Sequence, residues 1–531
     1  MARFAYPELP LDGLLRRAAV RDPAGLAVRT ATGAGFTTTV TFAELDARAD
    51  RFASYLEHTL GRRGARVGVA NVLDPVFAAA YYGTVRSGNT VVLVNPLIKE
   101  AGLLHVLRTA EAEVAFVPTA TAELLVKMGD RLPHLRSVVV TDAPDGVVPG
   151  DALPLAEALA RAPERRDLPG AVDLDSDVCI QFTTGTTGPA KGVRLTHRNL
   201  VANAAQTAAA HDLASDSVTL NHLPLYHTMH LNSGVYAGAC QVLCTDPDPV
   251  ASLAASARAE ATHYYGLPAR LHRLARDERP IHDFPAGRRL TAVLSGGTAL
   301  APTAARALRA RLGVPVIQGY GLAELSPLSH CQDPHSPKSG SVGPAVPGTE
   351  CRIVAVGTDT PLDVYATGEV QVRGPQVMAG YLDDNTPSPV DADGWFSTGD
   401  VGYLAEDGVL FLVDRLDDVF KYDNELVSPS AVEDVIGADP RVAECIVAGW
   451  SDPVHGALVW TGIVLRDPTA PGLLDILDSV VERANARLDD HEQIRRVEVL
   501  DAVPRNHVGK PERRALRRSL CSRAAAETAA V

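Results

Sequence analysis

Two rhythms of apolar residues run through the chain. Val67-Gly68-Val69-Ala70, Val91-Val92-Leu93-Val94 and Val138-Val139-Val140 are short apolar runs that predict buried strands, and residues 77–87 and 101–110 between them predict helices. The alternation predicts an α/β domain of layered sheets. Thr41 with Glu44 three residues later is a capping-box pattern that opens a helix, and Thr196 caps another over residues 197–210. No period of repeat-protein length is present.

Further along, residues 290–294 and 314–317 read as strands. They lead into glycine-bearing turns, Ser295-Gly296-Gly297 and Gln318-Gly319-Tyr320-Gly321-Leu322-Ala323-Glu324. Ligands of open α/β sheets gather beyond the carboxyl ends of strands, so both turns are site candidates, although an ordinary tight turn has the same composition. From residue 340 to 412 the texture changes to short alternating runs with frequent Gly and Pro, including 368–374 and 409–412, which predicts a β-rich subdomain. Within it, residues 395–400 read as a polar turn capped by its acid, Asp400. Strands at 445–448, 458–465 and 497–500 then surround a helix with Leu473, Ile476, Leu477, Val480, Val481, Ala484 and Leu488 at helical spacing, predicting a small α+β unit.

The chemistry concentrates in QFTTGTTGPAKGV, residues 181–193. Thr183, Thr184, Thr186 and Thr187 surround Gly185 and Gly188, with Lys191 and Gly192 after them. Residues 178–182 and 193–195 read as flanking strands, so the motif is a strand, loop, strand unit. Glycines let backbone N–H groups converge on an anion, threonine hydroxyls add donors and one lysine adds a full charge, which together make a phosphate cradle. A P-loop has the same spacing from its first Gly to its Lys. Here, however, Ala190 replaces its second glycine, Gly192 replaces its Mg²⁺-binding Ser/Thr, and no helix is predicted to open at the lysine. The plain alternative is a polar surface loop.

Composition narrows the class. A chain of 531 residues exceeds one compact core and implies at least two domains, and a formal net charge of −14 argues against standing contact with nucleic acid or an anionic membrane. No signal-peptide core or bilayer-spanning apolar run is evident, which leads to the expectation of a cytoplasmic protein. Seven cysteines without C-x-x-C spacing favour reduced thiols. His222, His227 and His230 invite a metal, but they are placed around a loop containing Pro224, with no carboxylate or cysteine among them, and read as a pocket wall.

In chain order, TTGTTGPAKG, LPLYHTMHLNSG, QGYGLAE, GEVQVRGPQVMAGY, GWFSTGD, DRLDDVFKY and PRNHVGKPERRAL resemble the motifs of the adenylate-forming superfamily of acyl-CoA synthetases, adenylation domains and luciferases, and most of all its 4-coumarate:CoA ligase branch. The resemblance implies a large N-terminal domain over residues 1–416, with layered α/β sheets and the β-rich subdomain, and a small mobile α+β domain over 417–531 with a hinge at Asp417. It implies that residues 183–191 hold the phosphates of ATP, that Tyr320 packs on adenine beside Gln318 and Gly319, and that Glu324 binds Mg²⁺. Asp400 would take the ribose hydroxyls with Arg415 close by. Lys510 would neutralise charge as a carboxylate attacks the α-phosphorus and pyrophosphate departs. His227, Gly296 and Gly297 would border the acid, with CoA or a carrier-protein thiol as acceptor. Relatives that take amino acids place an Asp near the His227 region, whereas this chain has Tyr226-His227-Thr228-Met229, so an aryl or acyl carboxylic acid is expected, and the resemblance to the coumarate branch favours a cinnamate-like acid over a fatty acid.

Three positions depart from the family pattern. Proline is moved by one residue in Gly188-Pro189-Ala190-Lys191. Ala323 replaces a threonine whose hydroxyl contacts the α-phosphate. Asn424, preceded by Asp423, replaces a glycine in the loop that lines the pantetheine tunnel, where an acid would repel polyanionic CoA. Two other readings follow: a diazotase that adenylates nitrite and acts on an aminoaryl acid without CoA, and a silent nucleotide-binding protein.

Overall fold

The computed structural model describes residues 4–32, 35–143, 145–163, 172–183, 189–279, 289–423 and 425–505, with 513, 516–520 and 523. Two compact units emerge. One comprises Met1–Cys351, Val372–Phe396 and Gly408–Leu410, the other Arg352–Gln371, Ser397–Asp407 and Phe411–Val531.

The first unit contains two eight-stranded sheets. One runs in the order Gly380–Tyr381, Gly192–Thr196, Asp177–Phe182, Thr90–Val94, Arg66–Ala70, Val114–Val117, Ser137–Val140, Leu153–Pro154. The other runs Leu328–Cys331, Val316–Gly321, Ala292–Ser295, His263–Gly266, Val218–His222, Cys240–Cys244, Leu26–Thr32, Gly35–Thr41. Their central pairs are parallel, as the alternation with helices requires; antiparallel pairs close both edges of the second sheet and one edge of the first, whose other edge, Leu153–Pro154, is parallel. The apolar strands are buried on both faces because helices cover them: Leu220, Tyr264 and Val293 enter one core, and Tyr265, Leu294 and Ile317 another. Both expected caps form. Thr41 and Glu44 close a capping box on Phe42–Leu60, and Thr196 does so with Asn199 on His197–Ala210.

The β-rich segment forms a five-stranded sheet in the order Gly343–Pro344, Val409–Arg415, Phe396–Leu404, Gly368–Arg373, Glu350–Val354. Two expectations change here. Residues 395–400 are not a turn, because Phe396–Leu404 continues as a strand through Asp400, whose N–H donates to Thr398 Oγ1 at 3.0 Å. Gly380–Tyr381 also leaves this segment and joins the edge of the first large sheet.

In the second unit, Glu425–Val427, Phe420–Tyr422, Gly456–Leu465 and Val442–Asp452 form a sheet, with Ile494–Val499 parallel to Gly456–Leu465. Val447, Val459 and Ile463 pack on Leu477, Val480 and Ala484 of the helix Leu473–Asn485, while Ile446, Trp450 and Trp460 fill the opposite face. The helix is shorter than its apolar spacing predicts, since Leu488 lies beyond Asn485, although it packs in the same core.

Arg86 ties three helices of the first unit together. Its fully buried guanidinium pairs with Asp12 at 3.3 Å, Asp50 at 3.0 Å and Asp46. The neighbouring carboxylates hold it charged despite burial. Replacement by Met takes the buried cation from all three carboxylates and leaves Asp12 with Arg16, at 2.8 Å, as its ion partner, and removal of one partner of such a network costs about 3–5 kcal/mol. Arg86→Met should therefore lower the urea midpoint of the first unit markedly, whereas a midpoint within experimental error of the parent would refute this role.

Candidate active site

The phosphate-loop motif is a β-hairpin arm, as expected. Asp177–Phe182 pairs antiparallel with Gly192–Thr196, so a strand and not a helix follows Lys191. Thr183 N–H donates to Lys191 O at 2.9 Å and Lys191 N–H to Thr183 Oγ1 at 3.2 Å, which closes the base of the loop. Thr184, Gly185, Thr186, Thr187 and Gly188 lie outside the described residues. The displaced proline has a local counterpart: His105 Nε2 donates to Ala190 O at 2.7 Å and anchors the backbone just after Pro189.

The other edge of Gly192–Thr196 is taken by Gly380–Tyr381. Leu382 N–H donates to Gly192 O at 2.7 Å and Ala379 N–H to Arg194 O at 3.0 Å, while Met378 N–H donates to Glu324 O at 2.9 Å. This short strand therefore joins the lysine arm to the turn that carries Glu324. Tyr381 Oη donates to Glu324 Oε1 at 3.0 Å, and Lys191 Nζ sits 4.9 Å from the centre of the Tyr381 ring. Burial and the Glu324 charge raise the phenol's pKa, so it stays protonated at neutral pH and acts as a donor. Tyr381 ends the motif GEVQVRGPQVMAGY, whose spacing carries no signal of this contact.

The segment Gln318–Glu324 differs from the turn expected of it. Val316–Gly321 remains a strand, paired with Leu328–Cys331, and a 3₁₀ turn Ala323–Leu325 then presents Glu324. The strand persists because Gly321 allows Pro327 to approach, and a Cβ there would stand 1.9 Å from Pro327 O. Gln318 accepts from Leu300 N–H at 2.8 Å, so its side chain braces the loop after Gly297. Gly297 has φ +89, and a Cβ at Gly296 would meet nothing closer than Gly319 O at 4.0 Å, so an open slot borders Gly296 and Gly319. Tyr320 is buried, with its ring 5.9 Å from that of His330.

The histidines are also arranged differently from a loop. His227 caps the helix Thr228–Ala237, accepting Met229 N–H on Nδ1 at 3.2 Å, and His230 lies within that helix. Centroids of His227 and His230 are 5.9 Å apart, and His230 stacks on Tyr265 at 4.0 Å. His222 is engaged elsewhere, with Nε2 on Asp246 O at 2.7 Å and Nδ1 on Tyr264 Oη at 3.0 Å. Among the described residues, no group of three His, Cys, Asp or Glu side chains is arranged to hold a metal.

In the second unit Asp400 is buried and Arg415 Nε pairs with its Oδ1 at 2.9 Å, as their predicted proximity requires. Arg517 Nη1 donates to Asp417 O at 3.0 Å. Asp423, at φ +47, places its carboxylate 2.8 Å from His455 Nδ1, and His455 stacks on Tyr422 at 4.8 Å. The extra acid expected to face CoA thus has a partner within its own unit. Asn424 and Lys510 lie outside the described residues.

Comparison with known proteins places this geometry in a class. The AMP-binding enzyme model matches residues 15–382 and the model of the AMP-binding enzyme C-terminal domain matches 431–510. The chain belongs to the AMP-binding enzyme family, the adenylate-forming ligases. It is 31% identical to 4-coumarate–CoA ligase 2 of Oryza sativa subsp. japonica, over 97% of this chain and 93% of that protein. It is 30% identical to a long-chain-fatty-acid–CoA ligase of Yersinia pestis, over 90% and 89%. The ATP-bound crystal structure of MatB from Rhodopseudomonas palustris superposes with a TM-score of 0.82 at 26% identity, over 97% of this chain and 99% of that one.

Burial gives five histidines of the first unit a common pH response. It lowers His197, His222 and His227 to about 4 and His211 and His330 to about 3. They are neutral when folded and take up protons on unfolding below the usual histidine range, so each contributes stability that is complete above pH ~6.5 and lost as pH falls toward 4, by up to about 1.4 kcal/mol per pH unit. Burial raises Glu369, Asp418, Glu433 and Asp434 of the second unit, which gives the opposite sign just above the carboxylate range. Between pH 7.5 and 5, hydrogen exchange corrected for intrinsic rates should show the first unit losing protection while the second holds its own. Equal loss in both units would contradict the assignment.

Proposed function

We propose that the protein is an ATP- and Mg²⁺-dependent ligase that adenylates an aryl carboxylic acid of cinnamate-like size, releases pyrophosphate and passes the acyl group to the thiol of CoA. The observation that carries this reading is the meeting of Lys191 and Glu324 on one tyrosine. A phosphate-binding cation and a metal-binding carboxylate belong together where a polyphosphate is activated. Mg²⁺ commonly uses one or two carboxylates and completes its shell with phosphate oxygens and water. Glu324 suits it, with Oε1 held by Tyr381 and, among the described residues, membership of no larger cluster of ligands.

The remaining roles follow by position. Residues 183–191 cradle the phosphates, Tyr320 with Gln318 and Gly319 takes the adenine end, Gly296 and Gly297 border the acid across the slot from Gly319, and Ala323 lies beside the α-phosphate with its backbone alone. Asp400 receives the ribose hydroxyls, oriented by Arg415. His227 borders the acid. The stacked His230 and Tyr265 rings beside it offer a flat wall with polar edges, which supports an aryl acid over an alkyl chain, and the likeness to 4-coumarate–CoA ligase 2 supports the same class. Pairing of Asp423 with His455 removes much of the objection to CoA as acceptor. The small domain from Asp417 onward brings Lys510 to the reacting phosphate and then rotates away for thiol attack.

A mass-spectrometric screen tests the reading directly. With ATP, Mg²⁺, CoA and a panel of aryl acids, the expected products are pyrophosphate, AMP and one acyl-CoA thioester. AMP formed only with nitrite and an aminoaryl acid, without thioester, would replace this reading by the diazotase, and ATP bound without turnover for aryl, fatty and amino acids would replace it by the silent binder. Lys510→Ala should lower adenylation by ~10²–10³, the scale of one preorganised electrostatic donor, and largely spare thioester formation from supplied acyl-adenylate. A variant with normal adenylation would exclude the role.

A further inference from the structure

We propose that Tyr381 is a positioning residue that sets the divalent-cation response of the site by holding Glu324 in one orientation and seating Lys191 on its ring. The inference rests on the reading of Glu324 as the Mg²⁺ ligand.

Three observations converge on it. First, the backbone around Tyr381 is fixed on both sides: residues 379–382 bond the strand that follows Lys191, and Met378 N–H bonds the carbonyl of Glu324 itself. The backbone that carries the ring is therefore fixed relative to both partners. Second, the phenol donates to Oε1 of Glu324 at 3.0 Å. A glutamate in a short 3₁₀ turn is otherwise free to sample several rotamers, and a fixed donor on one oxygen leaves the other to face a cation. Third, the negative face of the same ring lies 4.9 Å from the Lys191 ammonium, a cation–π distance. That ring holds the lysine near the carboxylate without letting the two neutralise each other by direct contact. A phenol is protonated at neutral pH, so it donates to the carboxylate and adds no charge beside the phosphates.

Two substitutions separate the contributions. Tyr381→Phe keeps the ring beneath Lys191 and removes only the donor to Glu324, while Tyr381→Leu removes both. Isothermal calorimetry on the full chain, with ATP in EDTA and then with increasing Mg²⁺, reads them apart from activity. The Mg²⁺ concentration for half-maximal ATP-binding enhancement should rise about tenfold in both variants, the scale for loss of a charge-assisted hydrogen bond. Metal-free ATP binding should stay within about twofold in Tyr381→Phe and weaken about threefold to fivefold in Tyr381→Leu, the scale of a cation–π contact. If either variant fails to fold, the other still carries the metal arm. Glu324→Gln should abolish the Mg²⁺ enhancement, and adding Tyr381→Phe to it should change nothing further. An unchanged Mg²⁺ response in Tyr381→Phe beside an altered one in Glu324→Gln overturns the role of Tyr381 alone. An unchanged response in Glu324→Gln overturns the reading of the metal site beneath it.

Discussion

A strand within a sheet must satisfy its backbone on both edges, and the strand Gly192–Thr196 does so with two segments remote from each other in the chain. Asp177–Phe182 on one side places the Thr- and Gly-rich loop between itself and Lys191. Gly380–Tyr381 on the other brings in the turn that carries Glu324 through the bond from Met378 to the Glu324 carbonyl. A Cβ at Gly192 would lie 3.1 Å from Cβ of Leu382, so the close seating of this third segment depends on glycine immediately after the lysine. Removal of either pairing would separate the cation from the carboxylate, whatever their own side chains could do.

Departures from the family pattern are met locally in two of three places. The carbonyl that follows the displaced Pro189 is taken by His105 from the helix Glu100–Thr109, and the acid at Asp423 is taken by His455 across a hairpin of its own unit. Both partners are histidines that neither lie near their targets in sequence nor belong to any motif. Ala323 differs, because an alanine in a 3₁₀ turn has only backbone groups to offer. The charge-assisted bond that a threonine hydroxyl would offer there, roughly 1.5–3 kcal/mol in scale, has no side-chain substitute on the turn that carries Glu324.

Among the described residues, the buried polar groups of the first unit are mostly hydroxyls, amides and neutral imidazoles, and Arg86 is a deeply buried cation held by three carboxylates. Neutral groups cost less to bury than charges and still fix geometry through directed bonds. Such an interior can shape a wall beside a reacting carboxylate without placing a competing charge next to it.

Much of this protein was legible in one dimension. Strand and helix periods, both N-caps, the strand, loop, strand form of residues 178–195 and the ordered motifs that define the family depend on residues near one another in the chain, where propensity and spacing operate. The exceptions share a cause. Residues 318–321 and 395–400 look like turns because Gly, Ser, Thr and Asp cluster there, yet both are strands, since pairing with Leu328–Cys331 and with neighbours in the five-stranded sheet outweighs local preference. His230 looked like a loop residue because Pro224 precedes it, but the cap at His227 opens a helix first. Tyr381 could not be assigned from sequence at all. Its role arises from a two-residue strand whose partners lie on two distant segments, and such long-range pairing is decided by backbone hydrogen bonds that only the assembled sheet can satisfy.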